Sequence, residues 1–314
     1  MHNILQKDNF LEKQILELKK EKNAVILAHY YQDEDIQDIA DFVGDSLDLS
    51  RKAANTEADV IVFCGVKFMA EVAKILSPSK TVILPDLKAG CSLEESCPPK
   101  KFQEFKKLHS AHTVISYINC SAEIKALSDI IVTSSNAQKI VQNLPQNEKI
   151  IFAPDKHLGN YLNKITNRKM VLWNGSCIVH ETFSEKQLIK LRVRNDDAEI
   201  LAHPECPEQI LNHADYIGST SSLLKRVQVS KHQKFIIATE PHIIHQMKKS
   251  EPNKTFIPAP TSDGTCSCSN CPYMELNTME KLRNCLLELS PSISMSEELI
   301  FSAKKPLLKM LKLS

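Results

Sequence analysis

The chain is organised around one ten-residue segment, Val171-Leu-Trp-Asn-Gly-Ser-Cys-Ile-Val-His180. Its apolar start predicts a buried strand, and its glycine permits the turn that follows, because glycine adopts backbone conformations that other residues avoid. This turn would present Cys177 and His180 beyond the edge of a sheet. Two more cysteines lie in similar settings, in Ala-Gly-Cys91-Ser-Leu and Ser-Asn-Cys271-Pro-Tyr-Met. We therefore expect these three thiolates to converge on one metal centre.

Length and charge limit the classes of protein that this chain can be. Its 314 residues, 42% of them hydrophobic, suffice for two or three domains of about 100 residues each. A net charge of +1 gives no reason to expect binding to nucleic acid or to a membrane surface. No apolar run approaches the roughly 20 residues of a spanning helix. Residues 1–22 read as an amphipathic helix rather than a signal peptide, so we expect a cytoplasmic protein.

The cysteine content indicates metal or redox chemistry. Ten cysteines are too few for a secreted disulfide scaffold of this length, but they exceed the usual number in a reducing compartment. We interpret Cys64, Cys120 and Cys285 as small buried apolar residues. The sequence leaves Cys97 and Cys206 undecided.

An internal repeat indicates three related units. Aspartate followed by an apolar strand recurs at Asp59, Asp129 and Asp215, at offsets of 70 and 86 residues. A second strand follows each of these, and another strand precedes each pair. In the last two units, 12 residues separate Tyr117 from Asp129 and His203 from Asp215. On this alignment the first unit contains a longer helix at that point.

Helical patterns lie between the predicted strands, at 33–43, 67–76 and 205–213. Short apolar strands that alternate with helices predict parallel sheets with right-handed crossovers. We therefore predict an α/β fold of three pseudo-threefold-related, three-layer αβα domains with small parallel sheets and an active site at their junction. The predicted units are residues 1–103, 104–190 and 191–272. C-terminal helices over 273–314 would pack on this body, the last of them broken at Pro306.

Polar residues at the predicted strand ends suggest a site for anions, because function gathers at the carboxyl ends of parallel strands. Hydroxyls beside helix N-termini bind carboxylate or phosphate, and here these are Ser46, Ser134, Ser219 and Thr220. Histidines at positions 29, 180 and 203 would add donors. Glu205 follows His203 by two residues, as Tyr31 follows His29, which makes Glu205 and Tyr31 candidates for proton transfer. Taken singly, each hydroxyl is more often a helix cap.

Three cysteines from three domains suit a 4Fe-4S cluster better than zinc. A structural zinc site usually has four ligands, whereas a cluster held by three thiolates leaves one iron open as a Lewis acid. The third ligand is ambiguous on spacing alone, because Gly-Thr-Cys266 resembles Gly-Ser-Cys177. A local zinc knuckle or a reversible disulfide within Cys266-Ser-Cys268-Ser-Asn-Cys271 is the alternative interpretation.

These residues together resemble the quinolinate synthase family, over residues 28–271 and in family order. The resemblance is carried by Ala28-His-Tyr-Tyr-Gln32, Gly44-Asp-Ser46, Gly65-Val-Lys-Phe-Met-Ala-Glu71, Ala89-Gly-Cys-Ser-Leu93, Tyr117-Ile-Asn119, Thr133-Ser-Ser-Asn-Ala137, Pro154-Asp-Lys-His-Leu-Gly159, Trp173-Asn-Gly-Ser-Cys-Ile-Val-His180, His203-Pro-Glu-Cys206 and Gly218-Ser-Thr220. It implies three α/β domains around a 4Fe-4S cluster. It also implies an enzyme that condenses iminoaspartate with dihydroxyacetone phosphate to quinolinate, with loss of phosphate and two waters, in NAD biosynthesis.

The resemblance also implies a role for each matching residue. Cluster ligands would be Cys91, Cys177 and Cys271; substrate carboxylates and phosphate would contact His29, Ser46, Tyr117, Asn119, Ser134, His203, Ser219 and Thr220. Tyr31 and Glu205 would assist proton transfers, with His180 near the open iron. This chain has C-x-C-x-x-C where C-x-x-C-x-x-C is common in the family, so the Cys266 alternative and any disulfide with Cys268 stay open. A functional link to an iminoaspartate-producing enzyme would follow.

Three other functions remain possible on the sequence. An aconitase-like hydro-lyase would use the same open iron on a different acid. An iron-sulfur electron carrier or redox sensor would require a fourth cysteine ligand and would not need the anion-binding residues. A zinc-stabilised binding protein fits least well.

Overall fold

Three small sheets, each of four parallel strands, form the centre of the computed structural model. The structure describes residues 2–262 and 269–314, with side chains from Phe10 onward. The first sheet and its helices comprise α1 (His2–Glu21), β1 (Ala24–His29), α2 (Glu34–Ile39), β2 (Phe42–Gly44), α3 (Ser46–Asn55), β3 (Val60–Cys64), α4 (Lys67–Leu76), β4 (Thr81–Ile83), α5 (Ser92–Ser96) and α6 (Pro99–Leu108).

The second and third sheets follow in chain order. The second comprises β5 (Thr113–Tyr117), α7 (Ala122–Ala126), β6 (Ile130–Val132), α8 (Ala137–Gln142), β7 (Ile150–Ala153), α9 (Lys156–Thr166), β8 (Val171–Leu172) and α10 (Glu185–Arg194). The third comprises β9 (Glu199–Ala202), α11 (Glu208–Leu211), β10 (Tyr216–Ile217), α12 (Thr220–Val229), β11 (Lys234–Ala238), α13 (Ile243–Ser250) and β12 (Thr255–Pro258). Helices α14 (Met279–Glu288) and α15 (Glu297–Leu313) end the chain.

All three sheets have the same strand order. The first runs β2-β1-β3-β4, the second β6-β5-β7-β8 and the third β10-β9-β11-β12. The central strands are apolar and buried; in β3, for example, all five residues of Val-Ile-Val-Phe-Cys are buried. Strands of this kind are typical of parallel sheets covered by helices on both faces. The predicted fold of three αβα units with small parallel sheets is confirmed, while the exact domain boundaries remain a prediction.

The predicted repeat is present, but its alignment in the first unit was wrong. Strand β6 after Asp129 and strand β10 after Asp215 are second in their units, whereas Asp59 precedes β3, the third strand. The true counterpart is Asp41, which precedes β2 and lies 12 residues after His29. No longer helix is therefore present at this point. The sequence Asp41-Phe-Val-Gly resembles Asp215-Tyr-Ile-Gly and contained the correct signal.

The three matching aspartates perform the same structural task. Their Oδ2 atoms accept hydrogen bonds of 2.8 Å from first-strand N–H groups, Asp41 from Ile26, Asp129 from Val114 and Asp215 from Ile200. The N–H of each aspartate donates to the carbonyl of the same strand residue at 2.9–3.0 Å. Each pair of hydrogen bonds attaches the second strand to the first, where β2, β6 and β10 are only two or three residues long.

Other predicted elements differ in their bounds. The helix predicted over 33–43 ends at Ile39, and the chain then forms the short strand β2, whose apolar residues also fit the helical period. The helix predicted over 205–213 is only the four residues of α11. Strand β8 is a two-residue edge strand and is half-buried rather than buried. Helix α15 continues through Pro306 unbroken.

The terminal helices pack on the three-sheet body. Helix α1 packs against α14, and α15 packs against α4, α7 and β6. In α1 the predicted apolar face is present, since Leu11 and Ile15 are buried. Helix α4 was predicted with its correct bounds of Lys67–Leu76.

We expect Asp129→Ala to lower the free energy of unfolding by about 1–3 kcal/mol, because it leaves the Val114 N–H without its charged acceptor. Urea denaturation monitored by circular dichroism measures this loss. Asp196→Ala, at an exposed position, is the control and should leave the value within about 0.5 kcal/mol of the parent. Equal losses in the two variants would contradict the role given to Asp129.

Candidate active site

A cavity lies where the carboxyl ends of the strands from all three sheets meet. Strand ends in matching positions of the three units contribute His29 and Tyr31, Tyr117 and Asn119, and His203 and Glu205 to its lining. The members of each pair are two residues apart, as the sequence indicated, although Tyr31 and Glu205 lie in turns just after their strands. The structure thus brings together six of the predicted residues from three parts of the chain.

Three hydroxyl groups line the same cavity from the first residues of helices or helical turns. Ser46 and Thr220 begin α3 and α12, and Ser134 lies in the turn before α8. The sheet registers pair Ala28 with Val43, Ser116 with Ile131 and Ala202 with Ile217. Each hydroxyl lies three residues after the second member of its pair, so the three hydroxyls occupy equivalent positions in the three units. Ser219 is one position earlier, is not among the lining residues, and caps α12 by accepting from the Ser222 N–H at 3.3 Å.

Two histidines are set to act as neutral donors. Nδ1 of His29 accepts from the Tyr31 N–H at 3.2 Å, and Nδ1 of His203 accepts from the Glu205 N–H at 3.4 Å. Burial lowers the pKa of His29 to about 4 and that of His203 to about 3. Since Nδ1 is the acceptor in each neutral ring, the proton is on Nε2. Both rings can therefore donate to an anion without carrying a charge.

Glu205 is one of two buried carboxylates in the lining of the cavity, the other being Asp45. Its Oε1 accepts a 2.5 Å hydrogen bond from the Tyr117 hydroxyl, and its Oε2 lies 3.1 Å from His180 Nδ1, in an alignment unsuited to a hydrogen bond. Burial alone would raise the pKa of Glu205, but His180 and the hydrogen bond from Tyr117 lower it to about 2. The carboxyl group is therefore ionised at neutral pH and can accept a proton.

His180 lies beside Glu205 and is connected to Tyr31 through Thr239, which was not predicted as a site residue. The buried Thr239 Oγ1 is 3.0 Å from His180 Nε2 and 2.5 Å from the Tyr31 hydroxyl. Burial, followed by the charge of Glu205, raises the pKa of Tyr31 well above its usual value. Tyr31 thus remains a neutral phenol. The position of Thr239 directly after the buried strand β11 was the available signal, since several of the lining residues also follow buried strands.

The three predicted cysteines also line this cavity, one from each unit. Cys91 follows β4, Cys177 follows β8 and Cys271 follows β12, the fourth strand of each sheet. Burial raises the pKa of all three thiols, that of Cys271 to about 11, and the nearby charge of Glu205 raises that of Cys177 further. A cation among them would reverse this effect, because metal ions stabilise thiolates.

One glycine permits the approach of the Cys177 loop. A Cβ atom at Gly175 would lie 2.5 Å from the Pro154 carbonyl oxygen and 2.2 Å from Ser96 Oγ. The Gly175 N–H donates to that carbonyl at 3.1 Å, and its own oxygen accepts from the Lys156 N–H at 2.8 Å. Any side chain at this position would push Cys177 away from the cavity.

The remaining described cysteines are not among the residues that line the cavity. Cys64, Cys97, Cys120, Cys206 and Cys285 are free and buried. The predictions for Cys64, Cys120 and Cys285 agree with this burial. Cys266 and Cys268 lie outside the described residues, and so does any disulfide between them.

Within the described ranges, one group of side chains has the spacing of ligands to a single metal ion. It consists of Cys177, His180 and Glu205, whose ligand atoms lie within 4.8 Å of one another. The three cysteines do not form such a group in this part of the chain. Around one zinc ion, with Zn–S bonds of about 2.3 Å, sulfur atoms would lie roughly 4 Å apart. Their wider separation favours a larger metal centre.

Two buried polar atoms in the lining are also without hydrogen-bond partners within residues 2–262 and 269–314, Asn119 Oδ1 and Thr133 Oγ1. Buried polar atoms are rarely left unpaired unless a ligand or water completes them. The lining as a whole therefore combines metal-ligating thiols with groups that bind a polar molecule.

A second, larger cavity of about 620 Å³ shares Tyr31 with the first. Among the described residues, neither lysine nor arginine lines this cavity. Six carboxylate residues do: Glu12, Asp33, Asp35, Asp38, Glu275 and Glu280. This charge is unfavourable for anionic substrates. The hydroxyl-lined cavity is therefore the better candidate for the active site.

Comparison with known proteins identifies the family. A family model described as Quinolinate synthetase A protein matches residues 13–312. The chain belongs to this family. The quinolinate synthase of Trichormus variabilis is 61% identical over 297 residues, which cover 95% of this chain and 91% of the relative. That of Chloroherpeton thalassium is 59% identical over 312 residues, or 99% of this chain and 96% of the relative. The resemblance seen in the sequence motifs is confirmed.

Membership of the quinolinate synthetase A family agrees with the architecture around the cavity. No helix in residues 2–262 or 269–314 is long and apolar enough to cross a membrane.

We expect the contribution of His29 and His203 to the free energy of unfolding to decrease as the pH falls from 7 to 5. Histidines of the unfolded chain take up protons near pH 6.5, whereas burial keeps His29 and His203 neutral down to about pH 4 and 3. At these two positions the unfolded state then binds more protons, so acid removes their contribution to stability. Urea denaturation at several pH values measures the slope.

His203→Asn should reduce this pH dependence, because it removes one of the two buried imidazoles. His232→Asn, at an exposed position, is the control and should leave the slope unchanged. An unchanged slope in His203→Asn would contradict the burial effect on its pKa.

Proposed function

We propose that this chain is a quinolinate synthase that condenses iminoaspartate with dihydroxyacetone phosphate. The products are quinolinate, one phosphate and two waters, and the reaction supplies NAD biosynthesis. One observation carries the proposal: a cysteine from each of the three units lines the same cavity as the hydroxyls, imidazoles and carboxylate that suit anionic substrates. Family membership supports it, since the relatives are quinolinate synthases.

Cys91, Cys177 and Cys271 would hold a 4Fe-4S cluster. The separation of these thiols supports a cluster rather than a single ion. All three are half-buried and line the cavity from three different units. Bound there, the cluster supplies a Lewis acid at the iron that lacks a cysteine ligand. His180 is close to Cys177 and would lie beside this centre.

The chain's own residues would bind and orient the two substrates. Ser46, Ser134 and Thr220 would donate hydroxyl hydrogen bonds to phosphate and carboxylate oxygens, aided by backbone N–H groups at the helix starts. His29 and His203 would add Nε2–H donors, and Asn119 an amide. Holding both substrates in one cavity replaces a bimolecular encounter by an oriented one. Exclusion of water would also protect the imine from hydrolysis.

Glu205 would accept the proton that dihydroxyacetone phosphate loses on enolisation. Its depressed pKa keeps it ionised, and the Tyr117 hydroxyl fixes its orientation. Tyr31 would donate a proton to a departing oxygen. The contacts from Tyr31 through Thr239 to His180 would hold these groups in place.

The proposal includes a cytoplasmic location and an enzyme that delivers iminoaspartate. All eight described cysteines are free thiols, which fits a reducing compartment. An electron carrier or redox sensor is less well supported, because it gives no role to the hydroxyls and imidazoles of the lining.

We expect Cys91→Ala, Cys177→Ala and Cys271→Ala each to abolish both the cluster and quinolinate formation, because each removes one of three ligands. Cys266→Ala should retain both. Anaerobic purification followed by iron and sulfide analysis, visible absorption and a quinolinate assay measures the outcome. Cys285→Ala, in α14 and buried away from the cavity lining, is the control. Loss in Cys266→Ala with retention in Cys271→Ala would assign the third ligand to Cys266 instead.

We expect Glu205→Gln to reduce kcat by about 10²–10⁴-fold, because the amide cannot accept the substrate proton. The cluster content should remain that of the parent, since Glu205 is not one of the three proposed ligands. Glu208→Gln, three residues away and exposed, is the control. A kcat within threefold of the parent would remove Glu205 from the role of base.

A further inference from the structure

Two carboxylates in the first turn of α3 lie next to the substrate-facing Ser46. Asp45 lines the cavity, is only 4% exposed, and caps α3, with Oδ1 accepting from the N–H groups of Leu47 and Asp48 at 3.0 Å each. Carboxylates at this place oppose the binding of anionic substrates. Their presence calls for a function that outweighs this cost.

Each carboxylate accepts a hydrogen bond from a different unit. Asp45 Oδ2 accepts from Ser135 Oγ of the second unit at 2.5 Å. Asp48 Oδ2 accepts from Ser221 Oγ of the third unit at 3.0 Å. Ser135 directly follows Ser134, and Ser221 directly follows Thr220. The donors therefore occupy equivalent positions, one residue beyond the hydroxyls that line the cavity.

These contacts connect the three lining hydroxyls through one helix turn. Ser46 lies between the two acceptors, and each acceptor holds the loop that carries one of the other two hydroxyls. The Asp45 carboxylate already accepts two backbone hydrogen bonds and benefits from the positive end of the α3 dipole, so the arrangement is rigid and its charge is partly compensated. A shift of α3 would displace all three hydroxyls together.

We propose that Asp45 and Asp48 are positioning residues. They fix the spacing of Ser46, Ser134 and Thr220 and thereby the relative positions of the two bound anionic substrates. This inference rests on the proposed function, because it takes those hydroxyls as the groups that bind substrate. Asp45 and Asp48 contribute through Ser135 and Ser221 rather than by contact with the reacting atoms.

The test uses Ser135→Ala and Ser221→Ala in the cluster-loaded enzyme. Each variant removes one donor without changing a lining residue. We expect kcat/KM to fall by about tenfold to a hundredfold, mainly through KM, because displaced binding groups orient the substrates poorly. Ser222→Ala is the control, because its hydroxyl lies in the same turn as that of Ser221 and bonds to Ser219, within its own unit. Urea midpoints and cluster content should match the parent in all three variants.

A double-mutant cycle distinguishes positioning from general stability. Asp48→Ala removes the acceptor of Ser221 and leaves the α3 cap, which Asp45 supplies, in place. If the contact is the cause, adding Ser221→Ala to Asp48→Ala should produce no further loss in kcat/KM. Additive losses would overturn the proposal. Should Asp48→Ala fail to fold, the comparison of Ser135→Ala and Ser221→Ala with Ser222→Ala still decides it.

Replacement of the lining hydroxyls separates the two proposals. If Ser134→Ala and Thr220→Val raise KM while Ser135→Ala and Ser221→Ala behave like Ser222→Ala, the positioning role is wrong and the proposed function stands. If Ser134→Ala and Thr220→Val leave the KM of both substrates unchanged, the hydroxyls are not the anion-binding groups. That result would overturn the positioning role together with this part of the proposed function.

Discussion

The structure depends on the convergence of three parallel sheets, whose strands direct their carboxyl ends toward one buried cavity. In the described part of the chain each sheet has four strands, and β8 and β10 have only two residues each. Each unit supplies only a few polar side chains. The site therefore exists only where the three units meet, and its integrity requires that they keep their mutual positions.

The electrostatics of the cavity follow from this burial. Removal from water keeps His29 and His203 neutral and keeps the hydroxyl of Tyr31 protonated, so the cavity offers hydrogen-bond donors without fixed positive charge. Glu205 is the exception, because close polar partners keep it ionised in spite of its burial. A donor-rich lining with one base suits two anionic substrates and a proton transfer. It suits an electron carrier much less well.

Contacts between units serve both stability and chemistry. Tyr117 of the second unit and His180 contact Glu205 of the third, while Thr239 of the third unit contacts Tyr31 of the first. Asp45 and Asp48 extend the same principle to the hydroxyl-bearing loops. Because Glu205, Tyr31 and Asp45 each contact a partner from another unit, small relative movements of the units would alter the lining.

The sequence by itself determined the fold class, the presence of three repeats and most of the residues that the structure brings together around the cavity. These features are local: buried apolar strands, glycine turns and polar residues at strand ends are visible within a few positions of one another. Only the tertiary structure decided the alignment of Asp41 with Asp129 and Asp215, because β2 is too short to be distinguished from the end of a helix. It also showed that Thr220 lines the cavity whereas Ser219 caps a helix, and it revealed the contacts of Thr239. These results depend on how units far apart in the chain come together.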